Sequence, residues 1–308
     1  MIGRVKNESG FALILTLVVT ALMVAIVVEM IHQVYVDTSL SRGFRDGQQA
    51  SILAESGVTG GCKLLQTTIY GRDYTTLNDL WATPLKLEDE IGTLVITIID
   101  ESAKIYVNEP VLSNGVDGPF LPALKRLGTR LKLPEDLWAA VADWVDDENP
   151  PTNRSGGAET PYYRTLKPAY SARNGKMATL TELTLVKGVT PEILGRLRPY
   201  LTIFPDQVNS PRININTASK EVLSSLDAGI DDSLAERIIE KRRLTPFKST
   251  GELSQVPGME TIATGLVGRI SVNSHLFRIT SVSRVKESAR TVEAVVRLSG
   301  EVLSWQEY

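Results

Sequence analysis

Residues 11–28 carry no charge and are almost all apolar; at a rise of about 1.5 Å each, these roughly 18 residues nearly span a bilayer core. Beyond them Ala50, Leu53, Ala54, Gly57, Val58, Gly61, Cys62, Leu64 and Leu65 recur at steps of three and four. That period predicts one long helix continuing from the anchor, with a small apolar face laid against a sheet. Branched residues take over in Thr93-Leu94-Val95-Ile96-Thr97-Ile98-Ile99, followed by the polar Asp100-Glu101-Ser102-Ala103 and then Ile105-Tyr106-Val107. The spacing predicts a β-hairpin. A second hairpin is expected where 277–282 and 291–298 flank Lys286-Glu287-Ser288, so the sheet is predicted to be split in sequence. Between the two hairpins helix signals dominate. Candidates span 121–131, 134–144, 180–186, 191–200, 219–226, 233–243 and 249–256, most of them opening on Ser, Thr or Pro.

Charge and cysteine usage narrow the function. With 33 Lys plus Arg against 36 Asp plus Glu, no overall basic surplus favours nucleic acid. Cys62 is the one cysteine; it cannot form an internal disulfide or a thiolate zinc site, and its place on the apolar face marks it as a small buried hydrophobe. His32 and His275 are the only histidines, one beside the anchor and one at a predicted strand start, so no His-based catalytic cluster is indicated. A phosphate-binding Gly-rich motif with Lys is also missing. These absences favour an assembly protein over an enzyme.

Two internal motifs carry candidate chemistry. Leu185-Val186-Lys187-Gly188-Val189-Thr190, Leu226-Asp227-Ala228-Gly229-Ile230-Asp231 and Val256-Pro257-Gly258-Met259-Glu260 each set Gly, an apolar residue and a polar residue between helices. They resemble helix-hairpin-helix turns, many of which bind DNA phosphates through Gly-apolar-Gly backbone amides at a helix start. Here Thr190, Asp231 or Glu260 replaces the second Gly, and the acids would repel a phosphate. Helix-helix packing is the better use of these turns. The other motif is Asp143-Trp144-Val145-Asp146-Asp147-Glu148, followed by Gly156-Gly157-Ala158-Glu159-Thr160 and Tyr162-Tyr163. Calcium takes six to eight oxygen ligands, so Asp146, Glu148 and Glu159 are candidate metal ligands, although the twelve-residue EF-hand pattern is absent. A solvated acidic loop is the alternative on composition alone.

The amino-terminal border sets the family. Arg4 and Lys6 lie in a short polar leader that ends Glu8-Ser9-Gly10 before Phe11, and no small-x-small cleavage site follows the apolar run. A cut between Gly10 and Phe11 would keep the helix. This arrangement resembles the type IV pilin superfamily, whose leaders end in Gly before an aromatic residue that the same peptidase methylates. The family's Glu at the fifth mature position is replaced by Leu15. Together with the split sheet, the helical insertion and the Asp-Trp-Val-Asp to Gly-Ala-Glu to Tyr-Tyr run, the chain resembles the K-class minor pseudopilins of type II secretion. The resemblance implies an α+β fold: a pilin-like long N-terminal transmembrane helix packed on a small antiparallel sheet, with a large all-α (SAM/helix-hairpin-helix-like) domain inserted in the sheet. Expected segments are a cleaved leader at 1–10, a transmembrane helix at 11–31, a pilin-like domain at 32–108 and 272–308, and the insertion at 109–271. It further implies calcium in the insertion and I- and J-type minor pseudopilins as partners at a pseudopilus tip, beside the major pseudopilin, prepilin peptidase and the inner-membrane secretion platform. The basic leader places the body in the periplasm, anchored once in the inner membrane. The alternative is a membrane-anchored helix-hairpin-helix DNA-binding protein of a competence or type IV pilus system.

Overall fold

The computed structural model describes residues 8–110, 112, 116–146, 154–206 and 211–308. The expected long helix forms as α1, Glu8–Ile69, 62 residues or roughly 90 Å of continuous helix. Residues 11–45 are exposed on every side, and this helix is long and apolar enough to cross a membrane. From Asp46 onward it packs on the sheet, burying Ala50, Ala54, Val58, Leu65 and Ile69.

The sheet is built from β1 (Leu85–Glu88), β2 (Thr93–Asp100), β7 (Leu276–Val285), β8 (Ser288–Arg297) and β9 (Val302–Glu307), in that spatial order and antiparallel throughout. Alternation explains the layer: Leu94, Ile96 and Ile98 of β2, Phe277 and Ile279 of β7, and Val292, Ala294 and Val296 of β8 face α1 as one apolar core. Trp81 closes its end, edge-on to Phe277 at 5.2 Å between ring centroids. Cys62 is half-buried against that core, and burial pushes its thiol pKa up. The carboxyl-end hairpin β7–β8 turns at Lys286, in the left-handed region at φ +51°. Its ammonium reaches Asp46 of α1 at 3.0 Å.

The first expected hairpin does not form. Asp100 accepts from the backbone N–H of Ser102 at 2.8 Å and caps a 3-10 turn, Glu101–Ala103, that carries the chain off the sheet. The next strand, β3 (Ile105–Tyr106), pairs parallel with β4 (Leu201–Thr202). Ile105 and Val107 are fully buried in a second core, whereas β2 pairs instead with β1 and, across most of the sequence, with β7. The excursion between β2 and β7 therefore carries its own core. It contains α2 (Leu121–Arg130), α3 (Leu137–Val145), α4 (Thr160–Tyr163), α5 (Pro191–Leu197), α6 (Lys220–Leu226), α7 (Asp232–Leu244) and α8 (Ile262–Gly265). A short parallel pair, β5 (Ile213–Asn214) with β6 (Ile270–Ser271), closes it before the chain returns.

Candidate functional site

The acidic motif gathers where α3 ends. Asp143 lies in the last turn of α3 and Asp146 is its C-cap, so the two sit one turn apart on one side of the helix. Glu159 is the N-cap residue of α4. Asp143, Asp146 and Glu159 are all buried. Neither oxygen of Asp143, nor Oε1 of Glu159, has a hydrogen bond of normal geometry. Burial, opposed by nearby backbone amides and Arg154 and reinforced by Asp146, pushes Asp143 up to about 6. Burial and then the charges of Asp143 and Asp146 push Glu159 up to about 7. Glu148 lies outside the described residues.

The surroundings fix this cluster. A Cβ at Gly157 would collide with Oδ2 of Asp143, so the backbone closes directly over the carboxylate. Lys187, from the first of the three Gly turns, donates from Nζ to the carbonyls of Gly156 at 3.1 Å and Gly157 at 3.3 Å. Its backbone N–H donates to Tyr163 Oη at 3.2 Å. Trp144 meets Tyr163 edge-on at 5.0 Å, and Tyr163 stacks on Tyr170 at 5.3 Å. Three buried carboxyl groups drawn together, with both oxygens of Asp143 and Oε1 of Glu159 lacking a hydrogen bond of normal geometry, suit calcium or a similar hard cation. Among the described residues no three acidic, His or Cys side chains are already arranged as a metal cage. Asp143 was absent from the ligand set expected from sequence; its signal was the three-residue spacing to Asp146.

The Gly turns are occupied from within. Gly188 and Gly258 take φ of +80° and +96°, as tight turns require. The amide of Gly258 donates to Glu260 Oε2 at 2.9 Å and that of Gly229 to Asp227 Oδ1 at 2.9 Å. Thr190 and Asp231 cap α5 and α7 through Ile193 N and Leu234 N. At each turn at least one backbone amide that could face a phosphate thus already binds the chain's own side chain. At the other end of the molecule, Gly10 and Phe11 lie within α1 and Leu15 is exposed on it.

Two family models described as type II secretion system protein K match residues 107–206 and 213–273, together more than half of the chain. The chain belongs to the type II secretion system protein K family. A relative from Pectobacterium carotovorum is 28% identical, the match covering 96% of this chain and 94% of that protein. One from Pseudomonas aeruginosa is 31% identical over 67% of this chain and 61% of its own length; both are named type II secretion system protein K. Among solved structures, a chain of the GspK-GspI-GspJ complex from enterotoxigenic Escherichia coli shares the fold. The TM-score is 0.75 at 20% identity, with 87% of this chain and 99% of that chain covered. The expected α+β architecture with its inserted helical domain is therefore the family's fold, and the chain is a minor pseudopilin.

Proposed function

We propose that this protein stands at the tip of a short periplasmic pseudopilus, where it joins I- and J-type minor pseudopilins and promotes assembly of the fibre that exports folded proteins. One observation carries the reading: half of α1 is bare and apolar while the other half is cemented to a sheet bearing a large insertion. A head of that size crowds neighbours along a tightly packed helical fibre and is accommodated at its end. Leu15 supports the same place. In pilin-like fibres the Glu at the fifth mature position of an incoming subunit meets the new amino terminus of the subunit above, because a bare charge in an apolar setting is costly. With Leu15 this chain offers the amine of Phe11 and lacks the Glu. It receives a subunit beneath itself without docking under another.

The reading includes cleavage between Gly10 and Phe11 with methylation of the new terminus, insertion in the inner membrane with the body outside the cytoplasm, and an assembly role without catalysis. It also includes a structural calcium ion held by Asp143, Asp146, Glu159 and the expected Glu148. The complex named for the solved relative, GspK with GspI and GspJ, supports the choice of partners. Crosslinking in intact membranes followed by copurification tests it: pilin-like I- and J-type chains are expected. Recovery of nucleic acid without them would return the DNA-binding alternative. Mass spectrometry of the purified chain is expected to show Phe11 as the first residue, and replacing Gly10 by a bulky residue is expected to retain the leader; a terminus beyond Met30 would mean an ordinary signal peptide.

A further inference from the structure

The first of the three Gly turns carries a cation that the turn itself does not require. It sets Lys187 before Gly188, where the other two have Ala228 before Gly229 and Pro257 before Gly258. This turn lies beside the acidic cluster, and its own footing is firm. Val186 and Val189 are buried in the insertion's core, and the amide of Val189 donates to the carbonyl of Val186 at 3.1 Å. Tyr170 Oη donates to the carbonyl of Leu185 at 2.8 Å, and Thr190 caps α5 through the amide of Ile193. Half-buried Lys187 therefore starts from a fixed point.

From there it reaches both segments that shape the cluster. Its Nζ donates to the carbonyls of Gly156 at 3.1 Å and Gly157 at 3.3 Å and lies over the Tyr162 ring, 5.4 Å from the centroid. Its backbone N–H donates to Tyr163 Oη at 3.2 Å. Gly156 and Gly157 sit in the bend 154–158, whose amides at Arg154 and Ala158 approach the Asp143 carboxylate, and a Cβ at Gly157 would collide with Asp143 Oδ2. Tyr162 and Tyr163 belong to α4, which opens at Glu159. One residue thus ties the cover of Asp143 to the helix that carries Glu159, and its ammonium is spent on carbonyls and a ring face rather than on a carboxylate.

We propose that Lys187 is a strap that holds the 154–158 bend closed over the acidic cluster and so preorganises the cation site, acting as a positioning residue rather than a ligand. The inference rests on the structural calcium ion proposed above and adds the group that sets how firmly such an ion is kept. Two effects of the ammonium have opposite signs. As a charge beside a cation site it repels the ion, so on charge alone its removal would tighten binding. As a strap it takes freedom from the bend before the ion arrives, so its removal would leave that ordering to be done at binding and would weaken it. Two hydrogen bonds from a charged donor, made to adjacent glycines, favour the strap, because glycine has the most conformational freedom to lose. Groups that hold metal ligands in place are worth about 10–100-fold in affinity. The loss should fall on release, since an opened bend uncovers Asp143.

Calcium titration of the full chain in detergent, after chelator treatment, tests this with the native protein, Lys187→Met and Lys187→Arg. Calorimetry gives Kd, and mixing the loaded protein with a chromophoric chelator gives the release rate. Lys187→Met is expected to bind calcium about 10–100-fold more weakly, chiefly through faster release, with calcium-free melting close to native; Lys187→Arg is expected to recover most of the affinity. Equal or tighter binding in Lys187→Met would overturn the strap. So would weaker binding accompanied by a fall in calcium-free melting in both Lys187→Met and Lys187→Gln, the latter keeping a donor without the charge, since that is the mark of a packing residue. Should Lys187→Met fail to fold, Lys187→Gln is read in its place. A native chain that takes up no calcium removes the ion and the strap with it, whereas a native that binds and variants that match it remove the strap alone.

Discussion

Residues 100 and 101 are neighbours whose carboxyls are shifted in opposite directions, and the difference lies in what each meets. Burial raises Asp100, at the junction of sheet and insertion, to about 7; it meets the hydroxyls of Thr217 and Ser274 and the charge of Asp206, whereas fully buried Glu101 meets Lys104 Nζ at 2.5 Å and Arg278 Nε at 2.7 Å. Burial opposes the Glu101 charge, but Lys104 and Arg278 together hold its pKa below the ordinary value. A depressed carboxyl stabilises the fold above its unfolded pKa and stops doing so as pH falls through the folded one. Glu101→Gln leaves Arg278 with Glu293 alone and is expected to lower stability by about 3 kcal/mol at neutral pH, since breaking a buried pair strands its partner. Urea unfolding at several pH values checks this: the gap between native and variant should narrow in acid. A gap that is constant with pH would mean that packing, not charge, sets the cost.

Among the elements, α1 shows how glycine placement decides what a helix can lie against. A Cβ at Gly57 would run into the Ser281 hydroxyl and come within 3.0 Å of Leu94 Cδ1, while one at Gly60 would meet only Ile96 Cδ1 at 3.9 Å. Gly57→Ala is therefore expected to destabilise by about 1–3 kcal/mol by wedging α1 off the sheet. Gly60→Ala should stabilise by about 0.5–1 kcal/mol through helix propensity. Thermal melts of both variants test the pair, and equal effects would mean that α1 does not approach the sheet this closely. The sequence showed Gly57 and Gly61 within a small helical face because the period of α1 is long enough to read. It also revealed β2, β7, β8, α2, α3, α5, α6 and α7, the longer ones through their period and the short helices α5 and α6 through their Pro and Ser starts. Of the two-residue strands, β3 was legible as a strand but not in its partner, and β4 to β6 have no period to read, since only long-range pairing creates them. β9 escaped because a register shift between Val295 and Val296 breaks the alternation of Val302-Leu303-Ser304-Trp305. The mistaken hairpin after β2 has the same root: a four-residue polar spacer looks like a turn whether or not the next apolar pair returns to the same sheet.

At the scale of the whole molecule, two cores in one chain make stability divisible. The acidic cluster of Asp143, Asp146 and Glu159 belongs wholly to the insertion and lies against its core residues Trp144, Ala158 and Tyr163; Asp143 itself was hard to foresee as a member because its side chain sits on a helix otherwise apolar enough to be core. A calcium ion held there only in the folded state adds RT ln(1 + [L]/Kd), about 2.7 kcal/mol at a hundredfold excess over Kd. For a unit of this size that is about 5 to 10 °C of melting temperature. The sheet and α1 share none of these ligands, and their core is separate. Calorimetry is therefore expected to show two transitions, with chelation lowering the insertion's by that amount and leaving the sheet's in place. Asp143→Asn should lower the first transition in calcium and make it nearly indifferent to chelator. Two transitions that both ignore chelation would leave the buried carboxylates without an ion, and a single transition that shifts as a whole would mean that the junction at Asp100 couples the cores too strongly for the insertion to open alone.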